Sequence, residues 1–196
     1  MFNFLMKNLK KIKGDASFRQ FYRKKNKDLS SIIVFAKKDK LNNLIIYDSI
    51  NRLLNKHKIL APRLYNENYK KNYIEIQDFG NETIFKILKK KNHNKYNIFK
   101  KIIKTLNQIQ LIKNTKTKNF RNKEYKVPKY DKEILVREAN LFCDWYAKKK
   151  LNKKDIKIFI RKYQEIIKKL TLELKLKNDV FVHRDFHVSN LMLVNN

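Results

Sequence analysis

The sequence predicts an α+β fold in two lobes, a small β-rich lobe over residues 1–78 and a helical lobe over residues 79–196. Three observations predict it. Aromatic and β-branched runs alternate with short polar turns through the first 80 residues, as hairpins do. After Gly80 the apolar spacing becomes that of amphipathic helices. The chain then closes on Val180-Phe181-Val182, a polar loop, and Leu191-Met192-Leu193, read as strand, loop and strand.

The elements follow in order. Residues 1–13 read as a short basic helix or arm, and Gly14-Asp15-Ala16 as a turn. Residues 17–24, with Phe18, Phe21 and Tyr22, and the β-branched run 31–36 form a hairpin around Asn26-Lys27-Asp28. Leu41, Leu44, Ile45, Ile50, Leu53 and Leu54 mark one face of a helix over 41–57, ended by Ala61-Pro62. Strands follow at 63–65 and 73–77 around the turn Asn66-Glu67-Asn68, giving β-β-α-β-β. Helices are predicted at 83–91, 96–112, 131–150 and 154–175, the last two strongly amphipathic. The polar stretch 113–129, containing Pro128, is predicted as loop.

Composition narrows the function. The 196 residues suffice for one core or two small lobes, and 42% hydrophobic content argues against disorder. Cys143 is alone, so the chain forms no intrachain disulfide, which fits a reducing, cytoplasmic setting. No apolar run reaches the length of a membrane span. The net charge of +30 raises nucleic acid or an anionic surface as partner. The lysines are spread along the whole chain, which favours a general composition bias and leaves a nucleic-acid-binding module as the second reading. That reading expects a basic face with exposed aromatics, and buried Phe and Tyr would weigh against it. Gly14 and Gly80 are the only glycines, so neither a Walker A loop nor a G-x-G-x-x-G loop is present.

The closing loop carries the chemistry. His183-Arg184-Asp185 is followed five residues after the Asp by Asn190. Phosphoryl-transfer enzymes of the kinase fold use such a pair: the Asp takes the acceptor hydroxyl proton, and the Asn holds Mg²⁺ on the nucleotide. His183 and His187 also have the spacing of a zinc helix, but Arg184 stands where that motif needs Glu. Asp78-Phe79-Gly80 has the letters of a kinase metal motif, yet it precedes the loop by about a hundred residues. It fits a hinge whose backbone at Gln77, Asp78 and Phe79 meets an adenine ring. Gly14, Asp15, Ala16, Ser17 and Phe18 form a candidate turn over nucleotide phosphates. Lys37 or Lys38 follows the second strand, where a kinase places its phosphate-binding lysine, with Asp48 as a candidate ionic partner.

These segments together resemble a known family. Gly14-Asp15-Ala16-Ser17-Phe18-Arg19 with Tyr22-Arg23, Ala61-Pro62, Ile76 to Asn81, Arg137 to Tyr146 and Phe181 to Met192 are similar to motifs of the aminoglycoside phosphotransferase and choline kinase superfamily. The nearest branch is the bacterial cell-wall amino-sugar kinases, which phosphorylate N-acetylmuramate and N-acetylglucosamine. The resemblance implies a bilobal protein-kinase-like fold, ATP and Mg²⁺, and a small hydroxylated acceptor. It implies Asp185 as catalytic base, Asn190 as metal ligand, and Glu138 and Trp145 on the sugar side. An aminoglycoside- or choline-type acceptor is the alternative. Two departures stand out. Phe35-Ala36-Lys37-Lys38 replaces the family's M-D-A-P, and no I-D-F-Q-D-A segment follows Met192. The chain is therefore expected to be truncated after the catalytic loop, with little or no activity alone. A silent pseudokinase, or a half completed by a missing segment or partner chain over an exposed apolar surface, is the third reading.

Overall fold

The computed structural model of the chain describes residues 9–12, 19–26, 29–90, 93–175 and 180–194. The candidate phosphate turn, Gly14, Asp15, Ala16, Ser17 and Phe18, lies outside these residues. Contacts group the chain into two units, Met1–Val127 with His183–Asn196, and Pro128–Val182. The expected α+β architecture is present.

The first unit is built on a five-stranded antiparallel sheet. Its strands are β1 (Leu9–Ile12), β2 (Arg19–Asn26), β3 (Leu29–Ala36), β4 (Leu64–Asn68) and β5 (Tyr73–Gln77), in the order β1-β2-β3-β5-β4. Helix α1 (Asn42–Lys56) joins β3 to β4. Central β3 buries Ile32, Ile33, Val34 and Ala36, which explains a β-branched run without alternation. β5 alternates instead, burying Ile74 and Ile76. Ile32, Val34, Ala36, Ile74 and Ile76 form one cluster with Leu44 of α1. Each such side chain contributes about 1.5–3 kcal/mol by leaving water.

Three local expectations are corrected. Leu9–Ile12 is a strand, not a helix or arm, because its backbone pairs with Phe21 to Lys24 of β2. Asn66-Glu67-Asn68 lies within β4, and the chain reverses later, at Tyr69–Lys71. There Asn68 Oδ1 accepts the Lys71 N–H at 3.1 Å, and Asn72 takes φ 65°, a left-handed conformation that Asn tolerates. The stretch 113–129 contains a hairpin, β6 (Lys116–Lys118) and β7 (Glu124–Lys126). Its turn docks on α1, where buried Asp48 accepts the Phe120 N–H at 2.8 Å.

The end of the chain is the fourth correction. Phe181-Val182 and Leu191-Met192-Leu193 join no sheet among the described residues; a single bridge pairs Met192 with Thr83. Their backbone is used elsewhere. Helix α2 (Ile84–Lys89) opens with N–H groups that have no partner within the helix. Ile84 N–H donates to Leu191 O at 2.8 Å and Phe85 N–H to Val188 O at 3.0 Å. Leu193 N–H donates to Glu82 O at 3.1 Å. The start of α2 thereby pins the Asp185–Asn190 loop. Helix α3 (Lys95–Gln110) follows, capped by Asn94, with Ile109 buried and Tyr96, Phe99 and Ile103 exposed.

In the second unit, helix α4 (Lys132–Phe142) starts at an Asp131 cap whose carboxylate accepts the Ile134 N–H at 3.0 Å. The predicted continuous helix is interrupted by a π-helical turn, Cys143–Ala147, before Lys148–Lys150. Helix α5 (Lys153–Glu173) starts at an Asn152 cap. Phe142 stacks on Tyr146 and Tyr163 with centroids 5.3 and 5.5 Å apart, and Tyr163 stacks on Phe159 at 5.8 Å. Among the described residues no helix is long and apolar enough to cross a membrane.

Candidate active site

The polar loop ends in a tight turn. Asn190 N–H donates to His187 O at 2.9 Å, which brings the Asn190 side chain back over Asp185. Asn190 Nδ2 donates to Asp185 Oδ2 at 2.6 Å and to the Asp185 carbonyl oxygen at 3.2 Å. His187 Nε2 lies 3.0 Å from Asp185 Oδ1 and 3.1 Å from Asn190 Nδ2. Asp185, His187 and Asn190 are all exposed. The two residues singled out for their chemistry therefore meet on one accessible surface.

The loop also holds strain. Arg184 takes φ 67°, a left-handed conformation that costs a residue with a Cβ about 1–2 kcal/mol. Just before it, His183 is half-buried and edge-on to Phe186, with ring centroids 6.0 Å apart. Its Nδ1 is buried without a partner among the described residues. Burial pushes the His183 pKa down; the Asp185 charge opposes this and the His187 charge adds to it. Among the described residues no three His, Cys, Asp or Glu side chains are placed to hold one metal. The zinc alternative for His183 and His187 finds no such cluster.

The hinge segment is locked from β2. Arg23 Nε donates to Asp78 Oδ2 at 2.5 Å and its Nη2 to Asp78 Oδ1 at 2.9 Å. The same guanidinium donates to Gly80 O at 2.7 Å and Asn81 Oδ1 at 2.6 Å. Asp78 Oδ1 also accepts the Gly80 N–H at 2.8 Å, closing a turn that puts Gly80 at φ 86°. Burial pushes the Asp78 pKa up, but hydrogen bonds from Arg23, Gly80 and Ser30, with the Arg23 charge, hold it below its ordinary value. Gln77 gives its N–H to Arg63 O at 2.8 Å, and its side-chain Oε1 is buried without a partner among the described residues. Phe79 lies between these anchors. This segment and the Asp185–Asn190 loop are joined through Glu82, Thr83 and the first turn of α2.

Lys37 is exposed at the start of the turn Lys38–Lys40. The suggested pairing of this lysine with Asp48 is not made. Arg52 Nε holds Asp48 at 3.0 and 2.8 Å, four residues along α1. A neighbour one helical turn away reaches Asp48 at little entropic cost. Burial pushes the Asp48 pKa up, against the Arg52 bond and charge and the Phe120 N–H.

Glu138 and Trp145 belong to the second unit. Glu138 Oε2 accepts the Tyr130 hydroxyl at 2.6 Å. Trp145 is 68% exposed, with Lys149 Nζ 5.8 Å from its ring centroid. Sequence reasoning gave no role to Arg23 beyond its place in a motif. Nothing in its letters singles it out, since its three partners, Asp78, Gly80 and Asn81, lie 55 to 58 residues away.

Comparison with known proteins adds a lineage to this geometry. The profile of the phosphotransferase enzyme family matches residues 8–196. An N-acetylmuramate/N-acetylglucosamine kinase of Neisseria meningitidis serogroup B is 25% identical over 182 residues, covering 92% of this chain and 51% of that protein. A protein of the same name from Pseudomonas aeruginosa is 25% identical over 180 residues, covering 92% and 50%. One from Pseudomonas putida is 25% identical over 179 residues, covering 91% and 49%. The chain spans about half the length of the curated relatives it matches.

Proposed function

The chain belongs to the phosphotransferase enzyme family, and on that premise we propose that it serves an ATP-dependent kinase of a small-molecule hydroxyl, with a cell-wall amino sugar as acceptor. The observation that supports this reading is the meeting of Asp185 and Asn190 on a loop pinned by α2. The names of the relatives support N-acetylmuramate or N-acetylglucosamine as acceptor.

In this reading the acceptor hydroxyl lies against Asp185. Its oxygen bonds to the γ-phosphorus of ATP, the bond from that phosphorus to the ADP oxygen breaks, and the hydroxyl proton passes to the Asp185 carboxylate. The Asn190 amide oxygen is a hard donor, and Mg²⁺ is commonly held by one or two protein oxygens with waters and phosphates completing its shell. Asn190 fits that ion, because its Oδ1 takes no donor among the described residues. Bound Mg²⁺ would offset charge on the transferring phosphoryl group. The backbone at Gln77, Asp78 and Phe79 takes the adenine edge, and Gly14, Asp15, Ala16, Ser17 and Phe18 with Lys37 cover the phosphates. Glu138 and Trp145 shape the acceptor side. A partner chain or further segment over the exposed Tyr96, Phe99 and Ile103 of α3 belongs to the same proposal, as do a cytoplasmic location and a place in cell-wall recycling.

Calorimetry tests the assignment without relying on turnover. ATP should bind in a Mg²⁺-dependent manner, and the ATP-loaded chain should bind N-acetylmuramate or N-acetylglucosamine more tightly than choline or an aminoglycoside. Any measurable transfer of labelled phosphate should fall at least ~100-fold in Asp185→Asn. Absence of ATP binding, preference for choline or an aminoglycoside, or full transfer by Asp185→Asn would overturn it.

A further inference from the structure

The Asp185 carboxylate is held from two sides. Asn190 donates to Oδ2 at 2.6 Å, and His187 Nε2 stands 3.0 Å from Oδ1. The protons can be placed. Asn190 Nδ2 has two hydrogens, which go to Asp185 Oδ2 and to the Asp185 carbonyl at 3.2 Å. A carboxylate facing His187 favours the tautomer with hydrogen on Nε2, which then donates to Oδ1. The 3.1 Å approach of Asn190 Nδ2 to His187 Nε2 is a proximity, not a third bond.

The two holds differ in kind. A cation drawn to the Asn190 amide oxygen pulls on the same planar amide whose NH₂ holds Oδ2, so that hold is disturbed when the cation arrives. A carboxylate tethered only there would then be free to rotate about χ1 and χ2. We propose that His187 is a positioning residue: it keeps Oδ1 in place while Asn190 engages the cation, so that Oδ2 is presented to the acceptor hydroxyl without reorientation. The inference rests on the kinase reading of the loop. Positioning of this kind lowers the cost of reaching a reactive geometry. His187 has the means, because its own carbonyl accepts the Asn190 N–H at 2.9 Å and so fixes its backbone to the turn that carries Asn190.

NMR of the full chain tests this. Labelled histidine should show His187 as the Nε2–H tautomer, and Asp185 Hα–Hβ couplings should report one χ1 rotamer. Adding Mg²⁺ with a non-hydrolysable ATP analogue should shift the Asn190 side-chain amide and leave both His187 and the Asp185 rotamer unchanged. His187→Ala should convert the Asp185 couplings to an averaged pattern, whereas His187→Gln, which keeps an N–H donor of similar reach, should restore the single rotamer. ATP affinity should be unchanged in both variants. A single Asp185 rotamer in His187→Ala, or release of Asp185 by His187 when the nucleotide shifts Asn190, would refute the inference alone. A nucleotide that shifts neither residue would refute the kinase reading on which it rests.

Discussion

Arg23 grips Asp78 with two nearly parallel bonds, Nε to Oδ2 at 2.5 Å and Nη2 to Oδ1 at 2.9 Å, across 55 residues of sequence. Both side chains are largely buried, at 13% and 3% exposure. Removing one partner of such a pair strands a charge. Arg23→Ala is expected to destabilise the first unit by about 3 kcal/mol in urea unfolding. Arg23→Lys should recover little, because an ammonium cannot reproduce the fork. The low Asp78 pKa gives a pH signature. A carboxyl depressed in the folded state contributes stability that is present above its unfolded value, near ~3.9, and lost as pH falls through its folded value. Asp78→Asn should remove that acid-side loss, and an unchanged acid limb would refute the ion pair's role.

Asp48 is the attachment point of the β6–β7 hairpin. Asp48→Ala leaves the Phe120 N–H and the Arg52 guanidinium without their acceptor, at about 1–3 kcal/mol for a buried group. Hydrogen exchange should then quicken at Phe120, while amides of β3 and β5 keep their relative protection. Equal protection at Phe120 in both proteins would argue against the tether.

Arg184 sits at φ 67° beside the catalytic Asp185 of the proposed mechanism. Arg184→Gly removes the left-handed strain but adds backbone entropy to the unfolded chain, so stability should be unchanged or rise by up to about 1 kcal/mol. Arg184→Val, β-branched, should lower stability by about 1–2 kcal/mol. Equal melting of the two variants would show that the backbone relaxes at this site.

The charge of +30 predicts loose binding to any polyanion. Tyr22 and Phe181 lie in the core, while Tyr65, Phe85, Tyr96 and Trp145 are exposed, so aromatic burial does not argue against the nucleic-acid alternative. Salt separates the two. Duplex DNA affinity should collapse between roughly 50 and 200 mM salt, whereas Mg²⁺-dependent ATP binding at a defined site should survive. Salt-steep DNA binding with no Mg²⁺-dependent ATP binding would favour the alternative.

The sequence made legible what local pattern controls. The β-branched run at Ile32-Ile33-Val34 is a central strand, and the helical spacing around Leu44 and Leu53 is an amphipathic helix. The meeting of Asp185 and Asn190 was legible from their five-residue spacing, because the tight turn between them is a local property. What escaped was set by distant partners. Lys116-Thr117-Lys118 carries no apolar alternation, and it pairs because its turn lands on Asp48. The apolar ends of the Asp185–Asn190 loop have strand composition, yet the open N–H groups of α2 take the carbonyls of Val188 and Leu191 instead. Arg23 reads as one basic residue among 48.

The central claim is that Asn190 and Asp185 serve a metal-bound nucleotide. Titration of ATP into the chain and into Asn190→Ala, each with and without Mg²⁺, tests it most directly. The account predicts Mg²⁺-dependent binding that weakens by about 10-fold or more in Asn190→Ala, the loss typical of a disturbed metal site. Equal affinity in the two proteins, or binding indifferent to Mg²⁺, would contradict it.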